Sequence, residues 1–214
     1  MKLNVVYNKR IQNFKKVSDK IESILSNKGI DYKLFDIDSM KEYGDFTLTI
    51  GGDGTLLKVA KSYSVPVLGI NMGRLGFLSQ AVENELDLIT DKIINKEYTV
   101  EERLTITYKN HTALNDFVIK GCSHSRTSKL YLSINGKQVC DYIADGLIVS
   151  TPTGSTAYCL SAGGPVLYPS MDSIVIVPIC PHTLSSRPLV IPSSEIITVQ
   201  TGDKPLSISV DGFE

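Results

Sequence analysis

The hydrophobic period changes once along this chain, near Asn95, and the change divides it into two kinds of fold. Ahead of that point, apolar runs of strand length stand at residues 3–7, 32–37, 46–50 and 67–70. Between the first two, Phe14, Val17, Ile21, Ile24 and Leu25 recur at helical spacing, with Gly29 placed to stop the helix. A second helix is expected over residues 55–62 and an acidic one over 83–94. Strands joined by helical crossovers pair in parallel. Beyond Asn95 many short strand-like runs follow, among them residues 103–108, 113–119, 130–134, 146–150, 174–177 and 206–210, and Asn135-Gly136 is a type I′ hairpin signal. The expected architecture is an α/β N-terminal domain with a parallel sheet, residues 1–97, and an all-β sandwich-like C-terminal domain, residues 98–214.

Composition narrows the partners. The 214 residues are 42% apolar and 21% charged, ordinary for a globular protein of one large or two small domains. With 22 basic and 23 acidic residues the net charge is −1, which excludes bulk attraction to nucleic acid or an anionic membrane. The N-terminus has no signal-peptide h-region, and no apolar run approaches the ~20 residues of a membrane span. Cys122, Cys140, Cys159 and Cys180 form no C-x-x-C pair, and the histidines lack zinc-ligand spacing. Free, mostly buried thiols and a cytoplasmic location are expected.

The run at residues 46–50 ends in Gly51-Gly52-Asp53-Gly54-Thr55. Glycines that take φ > 0 and approach a ligand closely, next to a helix N-terminus, form an anion site. A carboxylate there repels phosphate unless it holds Mg²⁺ or takes a proton from an attacking hydroxyl, and both roles belong to phosphoryl transfer. The same residues also suit a plain strand-ending turn in which Asp53 caps the next helix. In an open α/β sheet this loop, like residues 71–77, falls beyond the carboxyl ends of the strands, where ligands bind.

A second constellation begins at Asp145-Gly146 and runs through Ser150-Thr151-Pro152-Thr153-Gly154-Ser155-Thr156-Ala157-Tyr158 to Ser161-Ala162-Gly163-Gly164-Pro165. An apolar strand enters a cluster of hydroxyls, where Ser155 or Thr156 is placed to cap a short helix; a plain loop is the alternative. Asn115-Asp116 sets an amide and a carboxylate in a strand-like run, able to read a nucleobase edge and to accept from ribose hydroxyls, or simply to make an Asx-turn. No P-loop and no G-x-G-x-x-G fingerprint is present. Ser155, His182 and Asp145 make a hydrolase triad only on paper, since Ser155 is not in a G-x-S-x-G elbow.

In order and spacing these motifs resemble the NAD kinase family: Gly51 to Thr55, Asn71-Met72-Gly73-Arg74-Leu75-Gly76-Phe77-Leu78, Ala113 to Asp116, Asp145 through Pro165, and Cys180-Pro181-His182 to Pro188. The Gly-Gly-Asp-Gly-Thr loop is shared with lipid kinases and, more loosely, phosphofructokinases; the Thr-Pro-Thr-Gly-Ser-Thr-Ala-Tyr stretch is what singles out this family. The resemblance implies transfer of a phosphoryl group from ATP or polyphosphate to the 2′-hydroxyl of the adenosine ribose of NAD, giving NADP, with Asp53 as general base.

By the same resemblance, Gly51, Gly52 and Gly54 bring amides to the donor phosphates, and Mg²⁺ is held mainly by those phosphates with no direct protein ligand. Asn115 and Asp116 read the nucleotide, while Ser155, Thr156, Ala157, Tyr158 and Ser161 line its pocket with Phe77 nearby. Asp145 stands close to the nicotinamide half from a neighbouring subunit of a homodimer or homotetramer. Lys58 is a phosphate contact or a solvated helix charge. Three features depart from the pattern: Ile143 stands where many members have Arg, Asp211-Gly212-Phe213 replaces Asp-Gly-Gln, and the chain stops at Glu214, earlier than most members. The alternatives are a lipid or sugar kinase of the wider group, and a catalytically inactive NAD(P)-binding regulator.

Overall fold

The computed structural model describes residues 1–12, 14–71, 78–79, 81–122, 127–183, 186–201 and 205–213, which form two compact units, Met1–Glu101 and Glu102–Glu214. The first contains β1 (Lys2–Tyr7), α1 (Phe14–Asn27), β2 (Asp31–Asp36), β3 (Phe46–Ile50), α2 (Asp53–Ala60), β4 (Val67–Asn71), β5 (Ala81–Val82) and α3 (Leu86–Ile94). Its strands pair in parallel in the order β2-β1-β3-β4-β5.

Side chains along each strand alternate between two cores, as the pleat requires. Leu3, Val5, Leu48, Ile50 and Ile70 pack with Val17, Ile21 and Leu25 of α1 and Leu86 and Ile93 of α3. Val6 faces the other way, with Ile37, Val59 of α2 and Tyr63. Both faces are therefore covered, and β3 is buried along its whole length. Gly29, at φ 66°, ends α1 as expected. In a 2-1-3-4-5 sheet the strand order reverses between β1 and β3, and the loop after β3 opens at that switch point.

The second unit comprises β6 (Ile106–Tyr108), β7 (His111–Ala113), β8 (Asp116–Gly121), β9 (Ser128–Ile134), β10 (Lys137–Ala144), β11 (Gly146–Ser150), α4 (Tyr158–Ser161), β12 (Ser173–Ile179), β13 (Leu189–Pro192), β14 (Ile197–Thr201) and β15 (Leu206–Val210). A five-stranded antiparallel sheet runs β13-β12-β11-β8-β15, beside a three-stranded sheet β10-β9-β14 and the β6-β7 hairpin. Asn135 and Gly136, at φ 49° and 75°, make the hairpin turn between β9 and β10. Leu147 of β11 and Ile176 of β12 pack on Leu130, Leu132, Tyr142 and Ala144 of the smaller sheet. Ile148, one residue on, faces Cys159 and Leu167 on the opposite side. The sandwich-like reading holds, with the segment around α4 as a third layer.

The thiols depart from expectation. Cys159 alone is buried, where burial pushes it up to about 11; Cys140 is half-buried, and Cys122 and Cys180 are exposed. All four are unbridged.

Candidate functional site

In the first unit, Asp53 opens α2 rather than capping it. Gly52 occupies the N-cap with no side-chain bond, and the helix begins two residues earlier than its apolar spacing indicates. The Asp53 carboxylate is turned instead to Ser79, whose backbone N–H and hydroxyl both donate to Oδ1, at 3.1 and 2.8 Å. Gly69 allows this approach, since a Cβ there would come within 2.4 Å of Leu56 and 3.3 Å of the Ser79 backbone. The carboxylate is thus oriented by two donors beyond the carboxyl end of β3.

The backbone of the loop glycines differs from expectation. None has positive φ. The Gly51 amide donates to the Ile70 carbonyl at 3.0 Å, so it is not a phosphate donor; its missing Cβ leaves room for Thr55, whose hydroxyl would otherwise sit 2.4 Å away. At Gly52 and Gly54 a Cβ would meet nothing within 4 Å. That open space flanks the first turn of α2, whose earliest intrahelical bonds run from the Thr55 and Leu56 amides to the Gly52 carbonyl, at 2.9 and 3.2 Å. Lys58 lies in the last turn, with its ammonium 3.2 Å from Asp38, which also pairs with Arg10.

In the second unit the structure brings the Asn115-Asp116 pair onto the hydroxyl cluster. The Thr151 N–H donates to the Asn115 carbonyl at 2.8 Å, and the Thr151 hydroxyl to that of Leu114 at 2.5 Å. Gly154 presses against the Asn115 carbonyl so closely that a Cβ would lie 2.1 Å from its oxygen. The Asn115 Oδ1 is buried and has no hydrogen-bond partner among the described residues.

The expected capping role for Ser155 or Thr156 is not met: the N-cap of α4 is Ala157, with no side-chain bond. Ser155 is fully buried, donating to the Pro152 carbonyl at 2.6 Å and accepting the Leu167 N–H at 3.0 Å. It holds the loop from inside and is closed to a nucleophilic role as well. Thr156 and Ala157 are half-buried, and Asp145, Tyr158 and Ser161 are exposed. The Lys120 ammonium lies over the Tyr158 ring, 5.1 Å from its centroid. Phe77 lies outside the described residues. Exposed Ile143 offers its backbone carbonyl to the His182 N–H at 2.7 Å.

Asp211 is the residue that sequence reasoning missed, as its carboxylate accepts the backbone N–H groups of Leu114, Asn115 and Asp116. Burial, and then the Asp211 charge, push Asp116 up from 3.8 to about 6. Between those pH values the folded chain holds a proton that the unfolded chain has lost, so stability falls as pH rises through this window and is level above it. Asp116→Asn should remove this slope and stabilise the protein near pH 7 by on the order of 2 kcal/mol. Urea unfolding at pH 4, 5, 6 and 7 checks this; a wild-type profile parallel to that of the variant would contradict it.

The fold and site define a class of two-part proteins in which a parallel 2-1-3-4-5 sheet precedes an antiparallel sandwich. Residues 4–98 match the family model for the ATP-NAD kinase N-terminal domain, and residues 114–213 that for the C-terminal domain. The NAD kinase of Chlorobium phaeobacteroides is 37% identical, aligned over 100% of this chain and 84% of its own length. That of Thermoanaerobacter sp. X514 is 42% identical over 78% of this chain, and this chain spans 64% of that relative's length. Among solved structures, yeast NADH kinase complexed with NADH superposes with a TM-score of 0.86 at 26% identity, covering 100% of this chain and 75% of that one. An Archaeoglobus fulgidus NAD kinase in complex with ATP gives 0.79 at 26% identity, covering 100% and 91%. The chain belongs to the NAD kinase family.

Proposed function

We propose that this chain phosphorylates the 2′-hydroxyl of the adenosine ribose of NAD, with ATP or polyphosphate as donor, to make NADP. The observation that carries the reading is the Asp53 carboxylate, held on Ser79 at the opening of α2 beside the open faces of Gly52 and Gly54. Relatives named NAD kinase, and structural neighbours solved with NADH and with ATP, support the same substrates. Asp53 takes the proton of the 2′-hydroxyl as that oxygen bonds to the γ-phosphorus. The bond from phosphorus to the bridging oxygen breaks, and its electron pair leaves on the donor's next phosphate, giving ADP or a shortened polyphosphate.

Orientation of Asp53 by two donors places the base before substrate arrives. Gly52 and Gly54 give the donor phosphates access to the first turn of α2, while Gly51 acts through the space it leaves for Thr55. Lys58 is retained as a phosphate contact, which requires it to leave Asp38. Among the described residues no group of three or more His, Cys, Asp or Glu side chains is arranged to hold a metal ion. Mg²⁺ carried in chiefly by the phosphates would neutralise their charge when bound.

Asn115 presents its orphaned amide oxygen to a nucleobase amino group, and Asp116 takes the ribose. Thr156, Ala157, Tyr158 and Ser161 line the nucleotide pocket, Ser155 supports it from behind, and Asp145 serves the nicotinamide half of a neighbouring subunit's ligand. Formation of NADP from NAD with either donor tests the reading. A folded chain that phosphorylates a diacylglycerol or fructose phosphate but not NAD would refute it.

A homodimer or homotetramer is supported by the exposure of Tyr158, Leu160, Val166, Tyr168 and Met171, with Val166 at 63% and Tyr168 at 72%. Sedimentation velocity should find a dimer or tetramer that Val166→Asp with Tyr168→Asp converts to a smaller species; a monomeric wild type would contradict this. A cytoplasmic location is in keeping with four unbridged cysteines. No helix among the described residues is long and apolar enough to cross a membrane.

A further inference from the structure

The mechanism above makes no use of Asp211, yet its carboxylate is the acceptor for three consecutive backbone amides. Oδ2 receives the Leu114 N–H at 3.1 Å, and Oδ1 receives those of Asn115 at 2.7 Å and Asp116 at 3.1 Å. The Asp211 N–H donates in return to the Asp116 carbonyl at 3.0 Å. A two-residue turn after β15 aims the side chain: Asp211 and Gly212 stand at φ 51° and 79°, closed by reciprocal bonds of 2.7 and 3.0 Å between Val210 and Phe213.

The other side of the same backbone is held as firmly. The Asn115 carbonyl receives the Thr151 N–H and the Ser150 hydroxyl, at 2.8 and 3.3 Å, with Gly154 packed against it. The main chain of Asn115 is therefore clamped from two directions, while its buried Oδ1 has no partner among the described residues. A buried acceptor left in this way calls for a donor from elsewhere. A neutral acceptor at position 211 would make weaker bonds to the three amides than a carboxylate makes.

We propose that Asp211 is a positioning residue, whose charge fixes the Leu114–Asp116 backbone so that the Asn115 amide is already in place for the nucleobase edge. The inference rests on the nucleotide reading of Asn115 given above. Fixing the amide in advance spares NAD the entropy of ordering the loop on binding. Asp211→Asn is the suitable variant, because the remaining Oδ1 still accepts from Asn115 and Asp116, while the charge and the Leu114 bond are lost.

The test is a double-mutant cycle read by calorimetric NAD binding, using wild type, Asp211→Asn, Asn115→Ala and the double variant. Asp211→Asn should weaken NAD binding about tenfold in the wild-type background and less than about twofold in the Asn115→Ala background. In turnover, the KM for NAD should rise by the same factor with kcat changed less than about threefold. Equal losses in both backgrounds would overturn the proposal, because Asp211 would then act independently of Asn115. A folded wild type that binds no NAD would overturn the nucleotide reading itself, a different and separable result. Should Asp211→Asn not fold, hydrogen exchange on the wild type decides. The Leu114, Asn115 and Asp116 amides should be protected equally with and without NAD, and protection that appears only with NAD would overturn the proposal.

Discussion

Asp53→Asn should lower kcat by about 10²–10⁴-fold while the KM for NAD moves less than about threefold. The size follows from what general-base catalysis supplies, roughly 3–5 kcal/mol of the barrier. The selectivity follows from the structure: an amide oxygen at position 53 can still accept both bonds from Ser79, at the present 3.1 and 2.8 Å, so the loop and the start of α2 are preserved. What the amide lacks is a site basic enough to take the 2′-hydroxyl proton. Steady-state kinetics with NAD as the varied substrate separates the two parameters. A rise in KM equal to the fall in kcat/KM, with kcat unchanged, would make Asp53 a binding residue instead.

Gly154→Ala should be among the most destabilising single changes in the second unit. The new methyl would lie 2.1 Å from the Asn115 carbonyl oxygen, 2.5 Å from its carbon and 2.6 Å from the Ser150 hydroxyl. Two of the three are backbone atoms held by hydrogen bonds, so relief requires the strand end and the 3₁₀ turn at Thr153–Thr156 to separate. Overpacking of this kind costs about 1–3 kcal/mol or more, a loss of roughly 5 °C or more in Tm. The displaced carbonyl belongs to Asn115, so NAD binding should weaken about tenfold as well. Thermal unfolding and calorimetry check the two effects. An unchanged melting temperature would mean that the turn gives way easily, and the tight clamp on Asn115 would be refuted.

The parallel sheet was readable because its signal is local. Strand runs such as Phe46–Ile50, buried on both faces, stand out against the helical spacing of Val17, Ile21 and Leu25. The second unit was readable in its central strands, β8, β11 and β12, for the same reason. Strand β10 escaped notice because it is exposed along most of its length, buries only Tyr142 and Ala144, and is interrupted by an irregularity between Gln138 and Cys140. The start of α2 was misplaced because apolar spacing begins after the polar first turn, whereas the helix opens on Asp53 itself.

At the site, residue types were legible and partners were not. The sequence puts a carboxylate among glycines, but only the fold brings Ser79 to it from 26 positions away. Ser155 has the composition of a cap or a ligand and becomes a buried strut, since Leu167 folds back over it. Asp211 is the sharpest case. Its Asp-Gly pair signals a tight turn, yet the amides that it holds lie 95 to 97 residues earlier, and no local pattern can report a contact across that distance.

Phosphorylation of NAD is decided by incubating the purified chain with NAD, Mg²⁺ and either ATP or polyphosphate, and assaying the product with an NADP-specific dehydrogenase beside the Asp53→Asn variant. The wild type should make NADP with at least one donor, and the variant should lose about 10²-fold or more of that activity. Folded wild-type protein that makes no NADP with either donor, or a variant that matches it, would contradict the account.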